Sequence, residues 1–172
     1  MLGFVTVSER GEGDRLLTRV AQRMASAAIS VGGVVQINSE IGPDQPCQMD
    51  LQMLSDGSRI NISQNLGRHS GGCRLDPAGL EGAVGQVAAT LVSSPPQLLL
   101  LNKFGKQEAE GRGFRPVIGQ ALALEVCVLI CVSDQYRAAF DLFAGDFATA
   151  LTSTEDSVMQ WCVSQIGTLN RY

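Results

Sequence analysis

Residues 98–101 read Leu-Leu-Leu-Leu, and the polar pair Asn102-Lys103 follows them directly. Four consecutive apolar residues are typical of a strand inside a parallel sheet, because helices cover both faces of such a sheet. Val126–Val132 is a second run of this kind, and Pro116–Leu124 between the two has the pattern of a helix. These segments predict a mainly parallel sheet between two layers of helices.

The N-terminal segment predicts a strand, a turn and a helix. Leu2–Val7 is a short apolar run rich in residues that favour strands, and Ser8–Gly13 is a glycine-containing turn. The apolar residues that follow have helical spacing; they are Leu16, Leu17, Val20, Met24, Ala27, Ala28 and Val31. We expect Asp14 to cap this helix, Gly32-Gly33 to end it and Val34–Asn38 to form the next strand.

A hairpin is predicted around the turn Asp56-Gly57, because apolar and polar residues alternate on both sides of it. The alternating apolar residues are Met49, Leu51 and Met53 before the turn and Ile60 and Ile62 after it. A hairpin that shows one face to water lies at an edge of the sheet or over one end of it.

Three further helices complete the pattern. Asp76-Pro77 supplies an N-cap and a proline at the first helical position, followed by a stripe of apolar residues. Gln135–Phe143 and Glu155–Ile166 have the same periodicity. The order βα, β plus hairpin, α, βα, βα, α predicts a single three-layer α/β domain over residues 1–172, with the hairpin and a glycine-rich loop inserted at 47–75.

The composition excludes several classes of protein. A formal net charge of -4 and a pI of 4.9 give no basic surface for nucleic acid. With 45% hydrophobic and 17% charged residues, the chain can form a sizeable core. Its start lacks the basic region of a signal peptide, and its five cysteines are odd in number and widely spaced. We therefore expect a cytoplasmic protein with reduced thiols, no membrane insertion and no nucleic-acid partner.

The turn after the first strand lies where a phosphate-binding loop would lie. Such a loop reads G-x-x-x-x-G-K-[ST], and its lysine and hydroxyl contact the outer phosphates and Mg²⁺. Here Asp14 and Arg15 replace the lysine and the hydroxyl residue. The candidate ligand-binding residues are Ser8, Gly11 and Gly13. An ordinary βα turn is the alternative interpretation.

The stretch after the leucine run crowds four cations together with Glu108 and Glu110. The cations are Lys103, Lys106, Arg112 and Arg115. Two interpretations stay open: these residues bind an oxyanion, or they form a solvated turn of mixed charge. In hydrolases with a phosphate-binding loop, an acidic residue at the end of this strand holds a magnesium-bound water. Asn102 stands at that position here.

The polar stretch Ser63–Arg74 is the third candidate loop. It contains three glycines, two arginines and the only histidine of the chain, which fits an anion nest of backbone amides and guanidinium groups. Its candidate ligand-binding residues are Ser63, Gln64, Arg68, His69, Ser70, Gly71, Gly72 and Arg74. Cys47, His69 and Cys73 are an alternative set of ligands for a soft metal, although no Cys-x₂-Cys pair accompanies them. A flexible loop with one free cysteine is the remaining interpretation.

Longer motifs resemble known families. Leu98–Arg115, LLLLNKFGKQEAEGRGFR, is similar to the IDEIGKMELxSxxF stretch of the THEP-type nucleoside triphosphatases, small P-loop enzymes. Cys47-x-Met49-Asp50-Leu51, Gly72-Cys73-Arg74-Leu75-Asp76 and Asn102–Gly113 resemble the bacterial family called domain of unknown function 2478. The resemblance implies a P-loop-NTPase-like fold and a molybdenum-linked setting, and it implies no established reaction.

Two hypotheses of function follow, and a third is weaker. The first is a module that binds an oxyanion or phosphorylated ligand, with molybdate or a nucleotide as the bound group. The second is a nucleoside triphosphatase with a non-standard phosphate loop, in which Glu108 or Glu110 would orient water or metal. The third is a metal-handling protein that uses the Cys/His set.

Loss of both the lysine and the magnesium ligand predicts no ordinary ATP hydrolysis. An exposed apolar face on the hairpin or the last helix would allow a homodimer.

Overall fold

The computed structural model describes residues 1–9, 11–40, 42, 47–64 and 74–169. Within these ranges, seven strands form one sheet. The strands are β1 (Leu2–Val7), β2 (Val31–Ser39), β3 (Gln48–Met53), β4 (Arg59–Asn61), β5 (Leu98–Phe104), β6 (Cys127–Ser133) and β7 (Ala148–Leu151). Their order across the sheet is β4-β3-β2-β5-β6-β1-β7. The pairs from β2 to β7 are parallel, and the predicted hairpin β3–β4 is antiparallel at one edge.

Helices cover both faces of the sheet, which confirms the predicted three-layer α/β fold. The helices are α1 (Glu12–Ser26), α2 (Pro77–Ser93), α3 (Lys106–Ala109), α4 (Arg115–Ala123), α5 (Arg137–Ala144) and α6 (Glu155–Leu169). One apolar core lies between the sheet and α1 with α6, and the other lies between the sheet and α2, α4 and α5. In the part of the chain that the structure describes, no helix combines the length and hydropathy that crossing a bilayer requires.

The leucine run forms the centre of the sheet, as predicted. Leu98 and Leu100 belong to the core beneath α1, whereas Leu99 and Leu101 belong to the core beneath α2. Cys127 and Cys131 on β6 are also fully buried. Side chains of a strand alternate between its faces, so an unbroken apolar run is buried on both.

Several predicted boundaries are wrong. The first helix begins at Glu12 behind Gly11, whose φ of 77° makes it the cap, so Asp14 lies in the first helical turn. The helix ends at Ser26, and Gly32-Gly33 belong to β2. A glycine pair often ends a helix, but here it lets β2 approach β5 closely: a Cβ on Gly33 would lie 2.0 Å from the carbonyl oxygen of Leu100.

Two elements, α3 and β7, were not predicted. The helix α3 has only four residues, and its fold depends on contacts made by Glu108. The strand β7 reads Ala-Thr-Ala-Leu, which carries little apolar signal. The polar pair Asn102-Lys103 predicts that the strand ends at Leu101. In the structure β5 continues through Phe104, so both residues lie on the strand.

Candidate functional site

The sheet opens between β2 and β5 toward the carboxyl ends of the strands. The β2–β5 ladder extends from Val31 to Gly33. The carbonyl of Gly33 then accepts the backbone N–H of Leu54. In the opening, the side-chain oxygen of Asn102 accepts the backbone N–H of Gln36 at 2.9 Å. A side chain thus supplies the partner that a neighbouring strand would otherwise give, and the two strands can separate without an unpaired buried N–H.

A network of amides and one carboxylate joins this opening to the start of α1. The carboxylate of Asp14 accepts an N–H from Asn102 at 3.1 Å and another from Asn38 at 2.8 Å. The side-chain amide of Gln36 donates to the oxygen of Asn38 at 2.8 Å. These partners are neutral, so they hold the carboxylate in place without cancelling its charge.

The strand β6 contributes a thiol beneath the first turn of α1. A Cβ on Gly13 would lie 2.9 Å from Sγ of Cys131, so glycine is needed for this close packing. Burial raises the pKa of the Cys131 thiol to about 12, and the carboxylates of Asp14 and Glu12 act in the same direction. The thiol therefore stays protonated at neutral pH.

A cavity of about 500 Å³ lies beside the opening, on the side of the sheet that α2 covers. Its apolar lining residues are Met49, Leu51, Ile62, Leu75, Leu80 and Phe114. Its uncharged polar lining residues are Gln36, Asn102, Gln107, Ser133, Gln135 and Tyr136, together with the backbone of Gly105. A cavity of this size, mostly apolar with a few converging polar groups, has the character of a small-molecule site.

Three cations line the cavity. Arg74 is half-buried and donates to the carbonyl oxygen of Cys47 at 3.0 Å. Lys103 and Lys106 are exposed, and the ammonium group of Lys106 lies 3.9 Å from a carboxylate oxygen of Glu110. Such a long, exposed ion pair is weak and leaves the lysine able to reach a ligand.

Glu108 is the acidic residue of the lining and is only 4% exposed. One carboxylate oxygen accepts the N–H of Gly105 at 2.9 Å, and the other accepts the N–H of Phe114 at 3.0 Å. Gly113, at a φ of 58°, passes so close that a Cβ there would lie 2.2 Å from the carboxylate. Glu108 therefore holds the loop 105–114 around α3, and both of its oxygens have partners within the chain.

Other predicted site residues lie apart from the cavity. Arg112 is outside the lining and bonds to Glu110 and Gln107. Ser8, on the loop before α1, donates to Asp134 at 2.9 Å. The oxygen of Ser63 accepts the N–H of Met49 at 3.2 Å.

One predicted loop can be placed only at its two ends. The backbone N–H of Gln64 donates to the carbonyl of Arg74 at 2.7 Å. The residues Arg68, His69, Ser70, Gly71, Gly72 and Cys73 lie outside the described residues, so the Cys/His metal set stays a prediction. Among the residues that are described, His, Cys, Asp and Glu side chains do not gather in groups of three or more that could hold a metal ion.

Sequence reasoning missed Gln36, Asn38 and Tyr136. Gln36 is a buried polar residue that follows the apolar pair Val34-Val35 on β2, which is a usable signal, whereas Asn38 is exposed. Tyr136 lies in the short helical turn Asp134–Tyr136, and its contact with the cavity depends on how the chain turns after β6.

Comparisons with known proteins identify relatives of this chain. A family model described as "Protein of unknown function (DUF2478)" matches residues 2–161. The molybdenum import ATP-binding protein ModC 2 of Bradyrhizobium diazoefficiens is 36% identical over 150 residues. That match covers 86% of this chain but only 16% of the relative, so the chain corresponds to a small part of that protein.

The fold has a solved counterpart. The crystal structure of THEP1 from the hyperthermophile Aquifex aeolicus superposes with a TM-score of 0.67 and 11% sequence identity. The match covers 96% of this chain and 99% of the other. At this identity the likeness establishes the P-loop NTPase fold and leaves the chemistry of the site to its own residues.

Proposed function

The chain belongs to the DUF2478 family, and we propose that it is a binding domain for a small anionic ligand in a molybdenum-related setting. The ligand occupies the cavity beside β5. The domain keeps the P-loop NTPase fold but does not hydrolyse ATP by the ordinary route.

The distribution of lysines carries this proposal. Lys103 and Lys106 are the only lysines of the chain, and both line the cavity together with Arg74. The acid in the lining, Glu108, already accepts two backbone N–H groups. In a chain with a formal net charge of -4, such a local excess of cations favours an anionic ligand.

The residues at the start of α1 support the lack of ordinary hydrolysis. Phosphoryl transfer in P-loop enzymes needs a lysine on the outer phosphates and a carboxylate that holds Mg²⁺. Asp14 stands at the lysine position, and Asn102 stands at the carboxylate position. The two side chains bond to each other at 3.1 Å. A triphosphate here would meet a negative charge where the enzymes supply a positive one.

The molybdenum-related setting comes from the named relative. That protein is a molybdenum import ATP-binding protein, and we carry over only the setting, since most of its length has no counterpart here. Molybdate and other tetrahedral oxyanions are therefore the first ligands to test, with nucleotides beside them.

We expect molybdate or tungstate to raise the melting temperature of the purified protein. A ligand at a hundred times its Kd adds about 2.7 kcal/mol of stability, or roughly 5–10 °C for a domain of this size. The panel compares molybdate, tungstate, phosphate, sulfate, Mg-ATP and Mg-GTP at matched ionic strength. Lys103→Ala should weaken binding of the stabilising anion by about tenfold, because it removes a charge-assisted contact.

Arg59→Ala is the matched control, because Arg59 is an exposed cation on β4 outside the cavity lining. It removes the same charge and should leave the affinity unchanged. If Lys103→Ala and Arg59→Ala lost the same affinity for the anion, the loss would reflect the net charge of the protein and would not locate the site at the cavity. Absence of any Lys103-dependent stabilisation across the panel would contradict the proposed function.

A nucleoside triphosphatase is the second candidate, because the fold is that of THEP1 and the start of α1 follows β1 as a phosphate loop does. We expect phosphate release from Mg-ATP or Mg-GTP at the same rate for the wild type and for Asp14→Ala purified in parallel. An equal rate would come from a contaminating enzyme in the two preparations, because a substitution in this chain cannot change the activity of another protein. Mg²⁺-dependent release by the wild type that disappears in Asp14→Ala would instead establish the enzyme.

A further inference from the structure

We propose that the full ligand of the cavity carries an apolar organic group beside its anionic group, so that a bare oxyanion occupies only the anionic part of the site. This inference rests on the proposed function and names the chemical class of its ligand. The size of the cavity, the position of its charges and the pairing of its inner polar groups all lead to it.

The cavity is too large for an oxyanion alone. Liquid water occupies about 30 Å³ for each molecule, so a volume of about 500 Å³ has room for more than a dozen waters. A five-atom oxyanion replaces only a few of them. Cavities of this size usually hold organic molecules of one or more rings and bury most of their surface.

Charge and apolar surface are separated within the cavity. The lining residues Met49, Leu75 and Tyr136 are only partly buried and pack against the core, so they keep apolar surface that a ligand can cover. Lys103 and Lys106 are exposed and lie where the cavity meets solvent. A ligand that satisfies both regions places its anionic end at the two lysines and buries an apolar group inside.

Asn102 and Gln36 offer an anion no free donor. The side-chain nitrogen of Asn102 is committed to Asp14 and to Gln36, and its oxygen accepts a backbone N–H. The side-chain nitrogen of Gln36 bonds to Asn38. Throughout the described residues, every buried side-chain nitrogen and oxygen has a partner. An oxyanion that moved from the lysines to these two amides would lose hydration without gaining a donor from them, which is unfavourable.

A series of phosphate esters tests this class of ligand. Inorganic phosphate, phenyl phosphate and 1-naphthyl phosphate present the same anionic group with no ring, one ring and two rings. We expect phenyl phosphate to bind about tenfold or more tightly than phosphate, because its ring removes apolar surface from water. Phenol tests the ring without the anion, and it should bind more weakly than phenyl phosphate.

Met49→Gln places an amide in the apolar lining without changing the side-chain size much, and Met49 is only partly buried, so the variant should fold. It should lower the affinity for phenyl phosphate more than the affinity for phosphate, and so reduce the preference for the ring. Met159→Gln is the matched control, because Met159 is a partly buried methionine in the core on the other face of the sheet. Melting temperatures without ligand confirm that both variants are folded.

The outcomes separate the two proposals. Equal affinity for phosphate and phenyl phosphate, with both dependent on Lys103, would overturn the organic ligand and leave the anion site standing. The organic ligand would also be overturned if Met49→Gln and Met159→Gln reduced the preference for the ring equally. The ring would then not lie against the apolar lining of the cavity. If no anion binds in a Lys103-dependent way, both proposals fail.

Discussion

Replacing Gly33 with alanine should destabilise the protein by about 3–5 kcal/mol. Gly33 has a φ of 94°, and a Cβ at this position would lie 2.0 Å from the carbonyl oxygen of Leu100. That oxygen belongs to the backbone of the central strand, which is paired on both sides. The clash cannot be relieved by moving a flexible side chain, so β2 must shift away from β5. Urea denaturation followed by circular dichroism measures the loss.

Gly57→Ala is the control for backbone strain alone. Gly57 has a φ of 74°, and a Cβ there would meet nothing within 4 Å. We expect it to cost about 1–2 kcal/mol, the usual penalty for a side chain in the left-handed region. The excess loss in Gly33→Ala then measures the close approach of the two strands. Equal losses in the two variants would mean that β2 and β5 do not come as close as the structure shows.

Glu108→Ala should also destabilise the protein strongly, by about 2–4 kcal/mol. The substitution leaves the backbone N–H groups of Gly105 and Phe114 without their acceptor. Both groups are buried, so water cannot easily replace the carboxylate. Glu108→Gln keeps one acceptor oxygen and should have an intermediate effect. Thermal and urea unfolding of the three proteins give the order directly.

Glu110→Ala is the matched control two residues away. Its carboxylate is exposed and pairs with Arg112 and Lys106 at the surface. Such pairs contribute about 0–1 kcal/mol, so the variant should unfold close to the wild type. A Glu108→Ala protein as stable as Glu110→Ala would refute the structural role of Glu108.

The sheet and most helices could be predicted because their signals are local. The leucine run 98–101 is apolar on both faces wherever it is placed, and Asp76-Pro77 begins a helix by the chemistry of those two residues. The glycine pair 32–33 predicts a helix end but lies in β2, because the same residues serve two structural purposes. Glycine ends helices and also permits close approach of two backbones, and only the position of Leu100 decides between them.

The candidate site could be predicted in part. Lys103, Lys106 and Arg74 were candidates from their residue types, and all three line one cavity. Arg112 has the same chemistry and lies nearby in the chain, yet it turns outward to Glu110. Residue type identifies a potential donor, but the direction of its side chain depends on the loop, which Glu108 and Gly113 shape.

Local sequence patterns establish the layered α/β class, the doubly buried strands, the edge hairpin and the absence of a lysine from the start of the first helix. These features depend on neighbouring residues, so periodicity and composition are enough to predict them. The bond between Asp14 and Asn102, 88 residues away, depends instead on the packing of the whole chain. The same packing separates β2 from β5 beside a cavity with both lysines at its mouth. Such contacts join distant parts of the chain, and they depend on how all the layers pack together.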